Sequence, residues 1–249
     1  MQTAKKRFGL IGFPLSHSFS KRYFTGKFEE EGLSDTHRYD LFEIEDISAL
    51  PGIIAETEGL KGLNVTIPHK LNVLPYLSEI DPAAKRIGAV NVIRVEEDKR
   101  LKGYNSDYYG FRRSLEEFLD GNTPENALVL GNGGAARAIR VALEDMGIPH
   151  KLVSRSAGDD RISYETANTL LENHTLIINC TPLGTFPRTD TAPELDYTLL
   201  TPAHFLYDLV YNPEETLFMK RGKDRGARTR NGYSMLVYQA EKSWEIWNS

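Results

Sequence analysis

Residues 127–156 read ALVLGNGGAARAIRVALEDMGIPHKLVSRS, and their pattern decides the fold. A four-residue apolar run breaks at a glycine turn. A helical segment follows in which Ile139, Ala142, Leu143 and Met146 share one face, and Gly147 stops it before a second apolar run. Strand, turn, helix and strand in that order make one βαβ unit, the building block of a parallel sheet. Within the turn, Gly131, Gly133 and Ala136 match G-x-G-x-x-A, the dinucleotide-binding pattern, in the context that gives it meaning. Glycine permits the tight turn and lets backbone N–H groups approach a pyrophosphate, which the positive end of the helix dipole favours. Gly131, Asn132, Gly133, Gly134 and Ala135 are therefore the expected pyrophosphate contacts. An NAD site would place an acid at the end of the second strand to hold the ribose hydroxyls. Here that strand ends in Ser154, Arg155 and Ser156, a guanidinium and two hydroxyls suited to a 2′-phosphate, so NADP is the expected cofactor. Asp159 and Asp160 follow shortly after, and a solvated loop arginine is the competing reading of Arg155.

Outward from this unit the same alternation continues. On the C-terminal side come a helix over 165–172, the strands LIINCT and FLYDLV, and an amphipathic terminal helix, GYSMLVYQAEKSWEIW. On the N-terminal side, 108–119 form a helix with Phe111, Leu115, Phe118 and Leu119 on one face, followed by the turn cluster DGNTPEN. Earlier still, Phe8 to Ile11 read as a buried strand that breaks at Gly12 and Pro14 into the polar loop LSHSFS. A helix carrying Tyr23, Phe24 and Phe28 follows, then an apolar segment from Tyr39 to Ile44, a short helix in LPGIIAET and the strand LNVTI. A short helix over 82–87 and two strands flanking the charged turn EEDKR make this sheet mixed. The expectation is two α/β domains: 1–107, completed by the terminal helix at 233–249, with a mixed sheet, and 108–232, a Rossmann-like dinucleotide-binding domain.

At 249 residues, 40% hydrophobic and 26% charged, the chain has an ordinary globular composition. A net charge of −5 argues against a nucleic-acid partner, whose footprint is a basic surplus. Cys180 is the single cysteine, so no intrachain disulfide exists and a reducing compartment fits. No leader peptide or membrane-length apolar run is visible, and a soluble cytoplasmic protein, monomer or homodimer, is expected.

A nicotinamide enzyme also needs a group that moves a proton. NVTIPHK, residues 64–70, alternates like a strand, with Val65 and Ile67 on one face, and ends in a lysine behind Pro68. Lys70, Asp107, His17, His69 and Tyr211 all sit in or beside loops after apolar strands, where such sheets bind ligands. A lysine oriented by a carboxylate can shuttle a proton, and Asp107 is its best partner. His17 and His69 lack a third ligand at metal-binding spacing, which favours hydrogen-bonding roles over a metal site.

With these motifs in order, GFPLSHSFS, NVTIPHK, GAVNV, GYNSDYYG, NCTPLG, YDLVYNP and NGYSMLVYQA, the chain closely resembles the shikimate dehydrogenases from about Phe8 to Trp247. That family interconverts 3-dehydroshikimate and shikimate with NADP(H), a step of aromatic amino-acid biosynthesis. The resemblance implies that Ser18 and Ser20 bind the substrate carboxylate and that Asn64, Thr66, Asn91, Tyr211 and Gln239 contact substrate. It further implies that Lys70 and Asp107 are catalytic and that Thr181, Val210, Gly232 and Met235 line the cofactor. Two departures stand out: Tyr108 replaces a glycine common in the family, and the segment after Ser156 is short and lacks a helix. Quinate or dual quinate/shikimate dehydrogenases share the same motifs. A nicotinamide-binding sensor without turnover is the reading from another class, and it leaves the joint presence of Lys70 and Asp107 without a purpose.

Overall fold

The computed structural model describes residues 5–15 and 18–249, and divides the chain into two compact units, Met1–Ser106 with Ala240–Ser249, and Asp107–Gln239. In the first unit the elements run β1 (Lys6–Gly12), α1 (Phe19–Glu30), β2 (His37–Glu43), α2 (Leu50–Glu56), β3 (Leu60–Val65), α3 (His69–Asn72), β4 (Glu79–Ile80), α4 (Pro82–Ile87), β5 (Val92–Val95) and β6 (Leu101–Tyr104). They build a mixed sheet of order β2-β1-β3-β5-β6-β4, in which β1 runs parallel to β2 and β3 while β5 runs antiparallel to β3 and β6.

Both faces of this sheet are covered, which is why β1 reads as a nearly continuous apolar run. Phe8 and Leu10 point to one side, where Phe24, Phe28, Tyr39, Ile246 and Trp247 pack. Ile11 faces the other side, with Leu50, Ile54, Leu63, Val73 and Ile93. Trp247, near the end of the chain, is 6% exposed and donates its indole N–H to Ile93 O at 3.0 Å, so the C-terminal segment completes this core.

The second unit contains α5 (Ser106–Leu119), which begins at the last residue of the first unit, then β7 (Ala127–Leu130), α6 (Gly134–Asp145), β8 (His150–Val153), β9 (Arg161–Ile162), α7 (Tyr164–Asn168), β10 (Leu176–Asn179), β11 (Phe205–Asp208), α8 (Leu217–Lys223), β12 (Arg228–Arg230) and the start of α9 (Tyr233–Asn248). Every ladder is parallel, and the order is β12-β11-β10-β7-β8-β9. This is the doubly wound Rossmann order, in which the succession of strands reverses between β7 and β10. Ligands bind outside the carboxyl ends of the strands at that switch point.

Two readings of the sequence differ from the structure in extent. The strand read over 63–67 ends at Val65, and Ile67 is 73% exposed instead of sharing the buried face of Val65. Pro68 carries no N–H to continue a ladder, and His69 N–H turns back to Thr66 O at 2.9 Å, so the chain enters α3. The helix read over 165–172 is regular only through Asn168. Beyond it Leu170 N–H and Asn173 N–H make tight i to i−3 bonds to Ala167 O and Leu170 O. As the sequence indicates, the segment after Ser156 carries no helix before α7; it forms the two-residue β9 instead.

Candidate active site

In the first unit the polar residues singled out in the sequence meet in one buried network. Asn64, at the carboxyl end of β3, is 5% exposed. Its Oδ1 accepts the Tyr39 hydroxyl at 2.7 Å, and its Nδ2 donates to Ser243 Oγ at 3.0 Å and to Asn91 O at 3.5 Å. Asn91, equally buried, accepts Ser106 N–H on Oδ1 at 2.7 Å and donates Nδ2 to Ser106 Oγ at 3.1 Å, which itself lies 3.3 Å from Ser243 Oγ. The Ser20 side chain lies beside the same Tyr39 hydroxyl and opposes the effect of burial on it. Burial pushes the Tyr39 phenol far up and holds it as a proton donor to Asn64. Ser18 caps α1 by accepting Lys21 N–H at 3.2 Å, which leaves its own hydroxyl proton for a ligand. Thr66 is half-buried just beyond β3 and donates its N–H to Ile11 O at 2.9 Å.

Lys70 sits on α3, not in an open loop. Its carbonyl accepts Val90 N–H at 2.9 Å, and neighbouring His69 is 1% exposed with Nε2 against Ile44 O at 2.8 Å. The lysine stem is thus anchored through its own backbone and through a buried neighbour. Asp107 occupies the first turn of α5, directly after Ser106, the residue that Asn91 fixes. A carboxylate suits that position because it faces the positive end of the helix dipole. Tyr108 turns its hydroxyl to Asp145 Oδ2 at 2.8 Å, so its bulk ties α5 to α6. Gln239 is buried on α9, where its backbone packs against Gly110, and Tyr211 is half-buried in the loop after β11. His17 lies outside the described residues.

The second unit presents the dinucleotide turn at the switch point. Gly131 adopts φ +99°, and a Cβ there would fall 2.8 Å from Thr181 Cγ2, so only glycine lets the β7 turn lie against the β10 loop. A Cβ on Gly133 or Gly134 would meet nothing within 4 Å, and Gly133 caps α6 without a side chain. Asn132, Gly133 and Gly134 are exposed and Ala135 is half-buried, leaving first-turn N–H groups open to an anion. At the end of β8, Ser154 Oγ donates to Ser156 O at 2.6 Å and shapes the turn. Arg155 is exposed and, among the described residues, its guanidinium is held by no ion pair. Asp160 is drawn to Arg140 at 3.7 Å and Arg161 at 3.8 Å. This donor set, all N–H, hydroxyl and guanidinium, fits a phosphorylated dinucleotide. Val210 N–H donates to Asp208 Oδ1 and Thr181 N–H to Asn179 Oδ1, each at 3.0 Å; Gly232 N–H donates to Val210 O at 3.2 Å, and Met235 is buried in the core beneath β7 and β10.

Local patterns missed Tyr39, Ser106 and Ser243, because their partners lie far away in sequence; a buried tyrosine needing a hydroxyl partner was the one available signal. Among the described residues no group of three or more His, Cys, Asp or Glu side chains could hold a metal ion, and no helix is long and apolar enough to cross a membrane.

Comparison with known proteins agrees with this geometry. Residues 10–93 match the shikimate dehydrogenase substrate binding domain. A Geobacillus kaustophilus protein named shikimate dehydrogenase (NADP(+)) is 40% identical over 264 residues, covering 98% of this chain and 92% of its own. A Clostridium beijerinckii protein of the same name is 41% identical over 251 residues, covering 96% and 91%. Among solved structures, the Thermus thermophilus shikimate 5-dehydrogenase in complex with NADP(H) and shikimate is 31% identical with a TM-score of 0.81, covering 97% of this chain and 92% of that one. Identity at this level over nearly the whole length of both chains, together with the Rossmann order and the glycine turn, means that this chain belongs to the shikimate dehydrogenase family.

Proposed function

We propose that the protein catalyses the reversible NADPH-dependent reduction of 3-dehydroshikimate to shikimate, in the cytoplasm. The observation that carries this reading is the buried network that ties Asn64 and Asn91 together through Tyr39, Ser106 and Ser243, with Ser20 beside the Tyr39 hydroxyl. Preorganised neutral donors and acceptors suit a small polyhydroxylated carboxylate, because their orientation is settled before the ligand arrives. Ser18 and Ser20 are assigned to the carboxylate, and Asn64, Thr66, Asn91, Tyr211 and Gln239 to the ring hydroxyls.

NADP, when bound, supplies the hydride acceptor for shikimate oxidation. Gly131, Asn132, Gly133, Gly134 and Ala135 would hold its pyrophosphate and Ser154, Arg155 and Ser156 its 2′-phosphate, with Thr181, Val210, Gly232 and Met235 toward the nicotinamide end. Lys70 Nζ moves the proton: it gives one to the carbonyl oxygen in reduction and takes one from the hydroxyl in oxidation. Asp107 is assigned the orientation of that ammonium. A positioned proton donor contributes roughly a hundredfold to ten-thousandfold in rate.

The test is a panel of shikimate, quinate and simpler cyclic alcohols crossed with NADP and NAD, read at the reduced-nicotinamide absorbance band. Turnover is expected with shikimate and NADP above every other combination. A flat trace in the presence of intact dinucleotide binding would instead mark a sensor, and higher rates with quinate a quinate dehydrogenase.

A further inference from the structure

Asp208 is fully buried at the carboxyl end of β11 and, among the described residues, forms no ion pair. Its Oδ1 accepts Asn179 Nδ2 at 2.9 Å and Val210 N–H at 3.0 Å, and its Oδ2 accepts the Thr216 hydroxyl at 2.6 Å. Asn179, at the matching end of β10, uses its Oδ1 to accept both the N–H of Thr181 at 3.0 Å and the Thr181 hydroxyl at 2.6 Å. Thr216 in turn caps α8 through Met219 N–H. One carboxylate therefore gathers the loop after β10, the loop after β11 and the start of α8. Thr181 is also the residue against which the Gly131 turn lies. All of these contacts fall within the second unit, on the sheet edge where a doubly wound fold takes its ligand.

We propose that Asp208 is a positioning residue for the dinucleotide, which through Asn179 and its own bond to Val210 N–H presets Thr181 and Val210 for the cofactor. The proposal rests on reading this unit as the NADP-binding one.

A buried carboxylate without a cationic partner is an expensive way to join two loops, and burial pushes this one up to about 6. Neutral Asn at this place would tie the strands at lower cost, so the charge is the feature to explain. Ionised, Asp208 is acceptor-only, and it orients three donors in one direction. Asn179 must then point its NH₂ at Asp208 and its oxygen at Thr181, with no flipped alternative. Protonated, the carboxyl gains a donor and that orientation weakens. The titratable groups that face it are the Cys180 thiol and the Tyr197 phenol, both pushed well above neutrality by burial and therefore uncharged around pH 5 to 8.

The experiment is a fluorescence titration of NADPH against the unmodified protein and Asp208→Asn at pH 7.5 and pH 5.5, with folding checked by circular dichroism. At pH 7.5 the variant should bind NADPH roughly tenfold more weakly, the worth of a charge-assisted bond. At pH 5.5 the gap should narrow to a few-fold, because the unmodified protein then carries a mostly neutral Asp208. The titration of the ligand's own 2′-phosphate is common to both proteins and cancels in the comparison. A merely structural defect would keep the same gap at both pH values. Thr216→Val, which removes one donor from Oδ2, should shift NADPH binding the same way and carries the test if Asp208→Asn does not fold. Equal or tighter NADPH binding by the variants, or a gap independent of pH, overturns the inference alone. Absence of NADPH binding by the unmodified protein overturns it together with the NADP-binding reading.

Discussion

Asn64 and Ser243, 179 positions apart in the chain, are joined by a 3.0 Å hydrogen bond from Nδ2 to Oγ inside the first unit. The terminal helix thus supplies more than apolar cover: it fixes the amide of a residue in the NVTIPHK segment.

Ser243→Ala should destabilise the protein by about 1 to 3 kcal/mol, the usual cost of leaving a buried polar group short of a partner. Urea denaturation measures this, and the Michaelis constant for shikimate should rise in the same variant. Wild-type values for both would remove Ser243 from the network's function.

Tyr39→Phe isolates a single hydroxyl. The ring keeps its stack on Phe24, with centroids 4.8 Å apart, while Asn64 Oδ1 loses its donor. The expected loss is about 1 to 2 kcal/mol in stability, with a several-fold weaker shikimate interaction and unchanged NADPH binding. Should shikimate kinetics stay the same, the orientation of Asn64 does not depend on Tyr39.

The residues that could be read directly are those whose physics is local. The βαβ unit over 127–156 was legible because Gly131 needs a positive φ, Gly147 ends a helix, and the faces of α6 follow a helical period. The hairpin of β5 and β6 was legible from its charged turn. By contrast β9 and β12, two and three residues long and carrying arginines, lie at the two edges of their sheet, and only pairing across the sheet makes them strands. The Tyr39–Asn64–Ser243 connection spans most of the chain and leaves no periodic trace. Asp208 stood in the quoted YDLVYNP segment, yet its role is visible only from donors that converge on it in three dimensions.

Arg155→Ala should weaken NADP binding by roughly 1.5 to 3 kcal/mol, about tenfold to a hundredfold, and leave NAD binding nearly unchanged. Its exposed guanidinium gives up no ion pair among the described residues when removed, so stability should stay within about 0.5 kcal/mol. Equal use of NAD and NADP by the unmodified protein would contradict the assignment of the SRS turn to a 2′-phosphate.

Asp208 also predicts how stability changes with pH. Its folded-state value of about 6 lies above the ordinary 3.8, so between those values the folded protein holds a proton that the unfolded chain has released. Its contribution is complete below about pH 3.8 and is lost as pH rises through about 6, an amount on the order of 3 kcal/mol. Denaturation curves of the unmodified protein and Asp208→Asn, compared from pH 4 to 7.5, should converge at the acid end and separate in the variant's favour above pH 6. A constant difference across that range would show that Asp208 does not titrate in this way.

The most direct measurement is the turnover number of the unmodified protein and Lys70→Ala at saturating shikimate and NADP. The unmodified protein should produce reduced nicotinamide, and the variant should lose roughly a hundredfold to ten-thousandfold in turnover, about 3 to 5 kcal/mol of barrier, with a much smaller change in shikimate binding. Near-normal saturated turnover in Lys70→Ala, with only a raised Michaelis constant, would mean that Lys70 binds substrate without moving the proton.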